Sequence, residues 1–319
     1  MLSRVADSLY WMSRYLERAE HMARLVDVNV GLMIEQSQPL SGDRWPRVLD
    51  AVGVEKESAS GIGAHAILRW ITFDPGNHWS IISAIISARE NARQVREQIS
   101  SEMWEELNRL FHELRRAASG SDDDEPQSFL EVVKQGSHLF QGLTDSTMNH
   151  GEGWQFIQLG RYIERASATA QLMDIHFQRY LPFPQLQIEP EDHLEWIGLL
   201  RSCMAFEAYC KVYTADLRAE WIAEFLLLNE EFPHSVRFAV ENIQIALNSI
   251  GSSGARRGTG KLTRLSGRLR AALSFSQMDE ILAGGLEAYL ENVKKQCTQI
   301  HGAIHQVYID YPIETAIET

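Results

Sequence analysis

Apolar residues recur at spacings of three and four along almost the whole chain, whereas short runs of strict apolar and polar alternation are hard to find. This pattern predicts an all-α protein, folded as a multi-helix bundle. The first helix is predicted over residues 3–35, with Pro39 and Gly42 marking its exit. Its apolar stripe consists of Val5, Leu9, Met12, Leu16, Ala19, Ala23 and Val26.

Further helices follow the same periodicity and are separated by turn residues. They are predicted over residues 44–52, 64–73, 77–99, 100 or 101–118, 128–147, 153–180, 191–213, 233–250 and 278–311. Asn77 is expected to cap its helix, and Pro233 to occupy the first turn of its own. The acidic run at residues 122–125 is predicted to be a solvated connection, and the Gly-Ser segment at 251–254 a break between helices.

A short motif occurs twice. The sequence RYLERA at residues 14–19 returns as RYIERA at residues 161–166, a shift of 147 residues. The repeat predicts an internally duplicated helical unit, with a first half at residues 1–150 and a second at residues 151–319, packed as one globular unit. The two repeat helices are then expected to lie close together about a pseudo-twofold axis.

Each repeat gathers its charged residues in one wedge of the helix, opposite the apolar stripe. The residues are Arg14, Glu17, Arg18 and His21 in the first copy and Arg161, Glu164 and Arg165 in the second. In one interpretation, the wedges are solvated faces with i,i+3 and i,i+4 ion pairs. In the other, they face each other or a shared cavity, where arginine forks and carboxylates would bind a carboxylate or zwitterionic ligand. Glu17 and Glu164 are then also candidates for a catalytic acid and base.

The chain carries a formal net charge of −13, from 30 Lys and Arg against 43 Asp and Glu. This excess of acid argues against non-specific binding to nucleic acid or to an anionic membrane, because both depend on clustered basic residues. No apolar run of about 18 residues occurs, and the first residues carry charges where a signal peptide needs an apolar stretch. We therefore expect a cytoplasmic protein whose three cysteines are reduced.

Sequence motifs for a metal or a nucleotide are missing. The one Glu-x-x-His, at residues 231–234, contains Pro233 and cannot lie in a regular helix, and the glycines before Lys261 lack P-loop spacing. We expect no metal and no cofactor. A basic segment after the Gly-Ser break is either a solvated basic helix or a site that binds a phosphate or an acidic partner surface. Its residues are Arg256, Arg257, Lys261 and Arg264.

Several segments together resemble the bacterial alpha-E family, and the resemblance covers nearly the whole chain. They are LSRVADSLYWMSRYLERAEHMARLVDV, GRYIERASATAQLMDI, ARENARQVREQISSEMWEELN, LRSCMAFEAY and FPHSVRF. The resemblance implies a helical protein encoded beside, or fused to, circularly permuted ATP-grasp ligases and transglutaminase-like peptidases, and so part of a peptide-forming or peptide-modifying system. It also implies that Arg89, Glu90 and Arg93 point toward the repeat wedges, although by themselves they indicate a salt-bridged surface. His234 departs from the family pattern, which has Arg there.

The first functional hypothesis follows from this resemblance: a helical partner subunit of an ATP-grasp amide or peptide ligase. It would bind the ligase, or its amino-acid or peptide substrate, through the Arg and Glu wedges. One alternative is a stand-alone enzyme in which Glu17 and Glu164 act as acid and base on an anionic substrate. Another is a non-catalytic interaction scaffold whose charged faces are only solvated.

Overall fold

The computed structural model of the chain describes residues 1–35, 44–54, 63–118, 126–180, 187–214, 216–252 and 259–309. All regular structure in these ranges is helical, which confirms the predicted all-α class. The α-helices are α1 (Ser3–Glu35), α2 (Arg44–Ala51), α3 (Ala64–Phe73), α4 (Ile81–Gln94), α5 (Ser101–Ala118), α6 (Pro126–Thr147), α7 (Glu152–Tyr180), α8 (His193–Ser202), α9 (Phe206–Tyr213), α10 (Ala219–Leu228), α11 (Val236–Ser252), α12 (Thr259–Phe275), α13 (Met278–Gly284) and α14 (Leu286–Ile304).

The two repeat helices, α1 and α7, form the centre of the bundle and pack directly against each other. Helices α4, α6 and α8 surround α1, while α11 and α14 pack on α7. Six of the seven residues of the predicted apolar stripe of α1 are buried, and Val5 at its start is partly buried. The buried apolar residues of both halves form one continuous core.

Helices α1 and α7 approach each other closely at Gly160. A Cβ atom built on Gly160 would lie 2.2 Å from the backbone oxygen of Tyr10 and 3.2 Å from Cβ of Ser13. Only glycine allows the backbones to come so near at this point. Positions 13 and 160 are equivalent under the 147-residue shift, so the crossing point falls at the same register position in both copies.

Two predicted helix starts are wrong. The N-cap of α4 is Ser80, whose Oγ accepts from the backbone N–H of Ser83. Asn77 instead organises the preceding turn, where its side chain accepts from the N–H of Trp79. Pro233 lies in the turn before α11, and Ser235 caps that helix by accepting from the N–H of Phe238.

Three predicted long helices are interrupted. Helix α4 ends at Gln94, and a 3₁₀ turn at Arg96–Gln98 follows. Helices α8 and α9 are separated around Met204, which adopts a left-handed φ of 55°, so Cys203 and Cys210 do not share one helix. Helices α13 and α14 are separated at Gly285, whose φ of 96° suits glycine. Helix α10 was not among the predicted helices.

Some predicted features fall outside the described residues, namely the acidic run at 122–125 and residues 253 and 254 of the Gly-Ser segment. Among the helices that the structure describes, none is both long enough and apolar enough to cross a membrane. Cys203 and Cys297 are buried and Cys210 is partly buried, and all three are free thiols. Burial raises the pKa of both Cys203 and Cys297 to about 12, which makes these thiols unreactive.

Candidate functional site

Glu164 of α7 is bound by two arginines of α1. Nε of Arg14 lies 2.7 Å from Oε2 of Glu164, and Nη2 of Arg14 lies 2.6 Å from the same oxygen. Nε of Arg18 donates to Oε1 at 2.6 Å. Both oxygens of this carboxylate are therefore occupied by charge-assisted hydrogen bonds from the other repeat helix.

Glu17 of α1 is bound from α7 in the reverse direction. Arg165 donates through Nε to Oε1 at 2.5 Å and through Nη2 to Oε2 at 3.0 Å, a bidentate pair. The Arg165 side chain is 4% exposed and that of Glu17 3%. Arg161 reaches Glu17 mainly through Gln141 of α6, which accepts from Arg161 at 2.6 Å and donates to Glu17 at 3.2 Å.

The two sets of contacts are reciprocal. Under the 147-residue shift Glu17 corresponds to Glu164 and Arg18 to Arg165, so the Glu17–Arg165 and Glu164–Arg18 pairs are equivalent. The solvated-face interpretation is therefore wrong for these residues, because the charged wedges lie between α1 and α7. The pairing relates these two helices only, and a duplication of the whole helical unit stays a prediction.

The ion pairs decide the protonation state of Glu164. Burial by itself would raise the pKa of this carboxyl, but the guanidinium groups of Arg14 and Arg18 outweigh that effect and hold the pKa at about 2. Glu164 is thus ionised throughout the physiological pH range. A carboxylate with this pKa is a poor proton donor or acceptor near neutral pH, which argues against an acid and base role.

Besides its contacts with Glu164, Arg14 also contacts a histidine through its remaining nitrogen, Nη1. Nδ1 of His301, on α14, lies 3.1 Å from Nη1 of Arg14 and 2.8 Å from the hydroxyl of Tyr10. Because a guanidinium only donates, this nitrogen acts as an acceptor. Burial and the charge of Arg14 lower the pKa of His301 to about 4, so the ring is neutral at neutral pH. Trp11 covers the guanidinium, with its ring 4.8 Å from Arg14 Cζ.

We refer to the contacts around Glu17 and those around Glu164 as two junctions between α1 and α7. The two junctions differ in how they are covered. At Glu17, the Gln141 side chain of α6 links the carboxylate to Arg161, and the space beside it is only about 270 Å³. At Glu164, an open cleft of about 740 Å³ lies beside the ion pair, and we refer to it as the Arg18 cleft. Its lining residues are Arg14, Arg18, His21, Met22, Ala51, Val52, Gly53, Trp79, Glu164, Ser167, Ala168, Gln171, Lys294 and Thr298.

Trp79 and Lys294 both line the Arg18 cleft but differ in how their side chains are engaged. Trp79 is 43% exposed, and its ring centre lies 5.8 Å from Cζ of Arg18. Lys294 is held by Asp174 at 2.6 Å and by Glu291 at 2.8 Å. The charge of Lys294 is therefore compensated within the protein, whereas Trp79 offers an exposed apolar surface.

His21 and His234 are partly buried histidines near the ion pairs. Burial lowers the pKa of His21 despite the acidic neighbours Glu20 and Glu17. Nε2 of His21 is buried without a hydrogen-bond partner among the residues that the structure describes. Burial and the charge of Arg165 lower the pKa of His234 well below its usual range. A neutral imidazole at position 234 supplies no cation for an anion.

The charged group on α4 does not face the cleft, contrary to the expectation from the resemblance. Arg89 donates to Oδ1 of Asn108 on α5 at 2.8 Å, and its guanidinium lies 4.5 Å from the ring of Phe111. Glu90 and Arg93 form an exposed i,i+3 pair, with Arg93 61% exposed. Their position follows from the helix phase, since the opposite side of α4 packs its apolar residues on α1.

The remaining candidates lie away from the crossing. Lys261 and Arg264 are exposed on α12, and Arg256 and Arg257 fall outside the described residues. No group of three or more potential metal ligands occurs within the ranges that the structure covers.

Several residues of the site were not found from the sequence, namely Trp79, Gln141, Lys294 and His301. They reach it from α6, α14 and the turn before α4, all of which lie outside the two repeats. No local motif marks them. Gly160 had a usable signal, since it directly precedes the second Arg-Tyr pair where the first copy has Ser13, another small residue.

Fold and site together define an all-helical protein organised around reciprocal Glu-Arg pairs. The chain belongs to the Alpha-E family, described as a predicted alpha-helical domain with a conserved ER motif, whose model matches residues 1–309. Glu-Arg occurs twice in this chain, at 17–18 and 164–165.

Similar proteins include uncharacterised proteins of Mycobacterium bovis and of two strains of Mycobacterium tuberculosis. Each is 25% identical over 333 aligned residues, which cover 95% of this chain and 36% of the relative. The chain thus spans little more than a third of the length of these curated relatives. No solved structure gives a significant match.

Proposed function

We propose that this protein is a non-catalytic partner subunit of an ATP-grasp amide or peptide ligase system, in which it recognises substrate while the ligase performs the chemistry. One observation carries the proposal. Of two equivalent ion-paired junctions, one is bridged by α6 and the other borders an open cleft. An open, charged cleft beside a rigid ion pair is suited to binding rather than to proton transfer.

The buried charges restrict how such a subunit can work. Glu17 and Arg165 are enclosed between α1 and α7, so neither contacts a ligase or a substrate. Their role in this proposal is to hold the two helices in register. Recognition then falls to the groups that reach solvent in the Arg18 cleft, namely Arg18 and Trp79.

Two further points support a partnered role. The curated relatives contain the matching region within a much longer chain, as expected for a module that works beside attached domains. The resemblance in sequence also points to ATP-grasp ligases, with transglutaminase-like peptidases as a second class of partner. The acid and base alternative is less favoured, because Glu164 is held ionised by two arginines.

The test is reconstitution of amide formation with the ATP-grasp protein recovered from the same host. We expect the purified protein to co-purify with that ligase in fixed ratio and to accelerate amide formation. The Arg18→Ala variant should still bind the ligase but fail to accelerate it. Arg93→Ala, which removes an exposed arginine that does not line the cleft, is the matched control and should behave as wild type. A ligase whose turnover is the same with and without this protein would contradict the proposal.

A further inference from the structure

We infer that the Arg18 cleft binds the carboxylate of a small molecule carrying a flat apolar group, with Arg18 holding the carboxylate and Trp79 contacting the flat group. This inference rests on the proposed binding role and names the ligand class for it. The evidence is the charge balance of the junction, the free donors of Arg18 and the exposed ring beside them.

The charge balance favours a single negative charge on the ligand. Arg14 and Arg18 share one carboxylate, that of Glu164, so one positive charge at this junction is uncompensated. Neither neighbouring basic group adds a positive charge to this junction, because His301 is neutral and Lys294 is ion-paired with Asp174 and Glu291. In an acidic chain, a local positive charge in a cleft concentrates anions. A carboxylate matches one charge, whereas a phosphate ester brings nearly two.

The donors that remain available belong to Arg18. Its Nε binds Glu164, and no other hydrogen bond to its guanidinium occurs within the described part of the chain. Its side chain is 21% exposed and lines the cleft. The two terminal nitrogens present a fork that matches the two oxygens of a carboxylate. Arg14 differs, since Glu164 and His301 already engage all three of its nitrogens.

The walls of the cleft suit the rest of such a ligand. Trp79 projects an exposed ring next to Arg18, so a planar group attached to the carboxylate would lie against it. Ser167, Gln171 and Thr298 also line the cleft, but each of these side chains already donates to a backbone carbonyl of the protein, so Arg18 and Trp79 carry the recognition.

The first experiment is isothermal titration calorimetry of the purified protein with N-benzoylglycine, which combines a carboxylate, an amide and a flat ring. Phenyl phosphate tests the dianionic alternative, and benzamide tests the ring and amide without the carboxylate. We expect N-benzoylglycine to bind at one site per chain and more tightly than either comparison compound. Affinity should fall with added salt, because the contact with Arg18 is ionic.

Variants then assign the contacts. Arg18→Ala should weaken binding of N-benzoylglycine by about tenfold or more, the usual loss for a charge-assisted hydrogen bond. Arg18→Lys should restore part of it, because the charge returns without the fork. Trp79→Ala should weaken binding by about threefold to tenfold through the lost ring contact. Arg93→Ala should bind as wild type, and far-UV circular dichroism of each variant establishes that it is folded.

Three outcomes would overturn the inference: no binding of N-benzoylglycine, tighter binding of phenyl phosphate, or equal binding by wild type and folded Arg18→Ala. None of these depends on a ligase. Carboxylate binding without any effect on a ligase would contradict the proposed function and leave this inference standing.

Discussion

Replacing Gly160 by alanine tests the close approach of α1 and α7 directly. The added Cβ would lie 2.2 Å from the backbone oxygen of Tyr10, whereas ordinary carbon to oxygen contacts are about 3.3 Å, so the helices must separate by about 1 Å. The contact is with backbone and cannot be relieved by rotating a side chain. Overpacking of this kind costs about 3 kcal/mol, and the better helix propensity of alanine returns about 1 kcal/mol.

The net loss is therefore about 2 kcal/mol in the free energy of unfolding. Urea denaturation followed by far-UV circular dichroism measures it. Gly142→Ala is the matched control: Gly142 is exposed on α6 with nothing within 4 Å of an added Cβ. The free energy of unfolding of this control should increase by up to about 1 kcal/mol. If Gly160→Ala were as stable as Gly142→Ala, the close crossing described above would be wrong.

Four further predictions concern ionisable groups. Arg165→Ala should cost about 3 to 5 kcal/mol in chemical denaturation because it strands the buried Glu17 carboxylate. Arg18→Ala should lower the free energy of unfolding by only about 1 kcal/mol, since Glu164 keeps its ion pair with Arg14. Equal losses in Arg165→Ala and Arg18→Ala would contradict the difference in burial between these two arginines. His176, buried and neutral with a pKa lowered by burial to about 3, stabilises the fold above pH 6.5, and that contribution is lost as pH falls toward 3. His176→Phe should therefore flatten the stability profile across this range, and an unchanged profile would refute it. Glu164, with a pKa of about 2, adds a loss of stability that begins below pH 4.5 in acid titrations and should be missing in Glu164→Gln.

Helical periodicity was enough to predict the long elements, because each depends on apolar spacing within its own segment. The bounds predicted for the first helix agree with α1, and most of its apolar stripe is buried. The breaks were harder to predict. Met204 adopts a left-handed φ that glycine normally takes, and nothing in its local sequence signals this. Gly285, by contrast, was a visible signal for the break after α13.

The charged wedges show the limit of reasoning from one sequence. A helical projection places Glu17 and Arg18 opposite the apolar stripe, but it does not say what packs against that side. Here the partner is another charged helix nearly 150 residues away, so a wedge that reads as solvated is buried. The cleft could not be predicted from the sequence either, because Trp79 and Lys294 come together only through the packing of distant elements.

The most direct test of the central claim is a double-mutant cycle on Glu17 and Arg165, with Glu17→Gln, Arg165→Met and the double variant compared by chemical denaturation. An enclosed bidentate pair predicts a coupling energy of about 2 kcal/mol or more, because each single variant leaves a buried charge without its partner. The same cycle on the exposed Glu90 and Arg93 should show no comparable coupling. Additive losses at Glu17 and Arg165, within about 0.5 kcal/mol, would contradict the reciprocal ion-paired crossing.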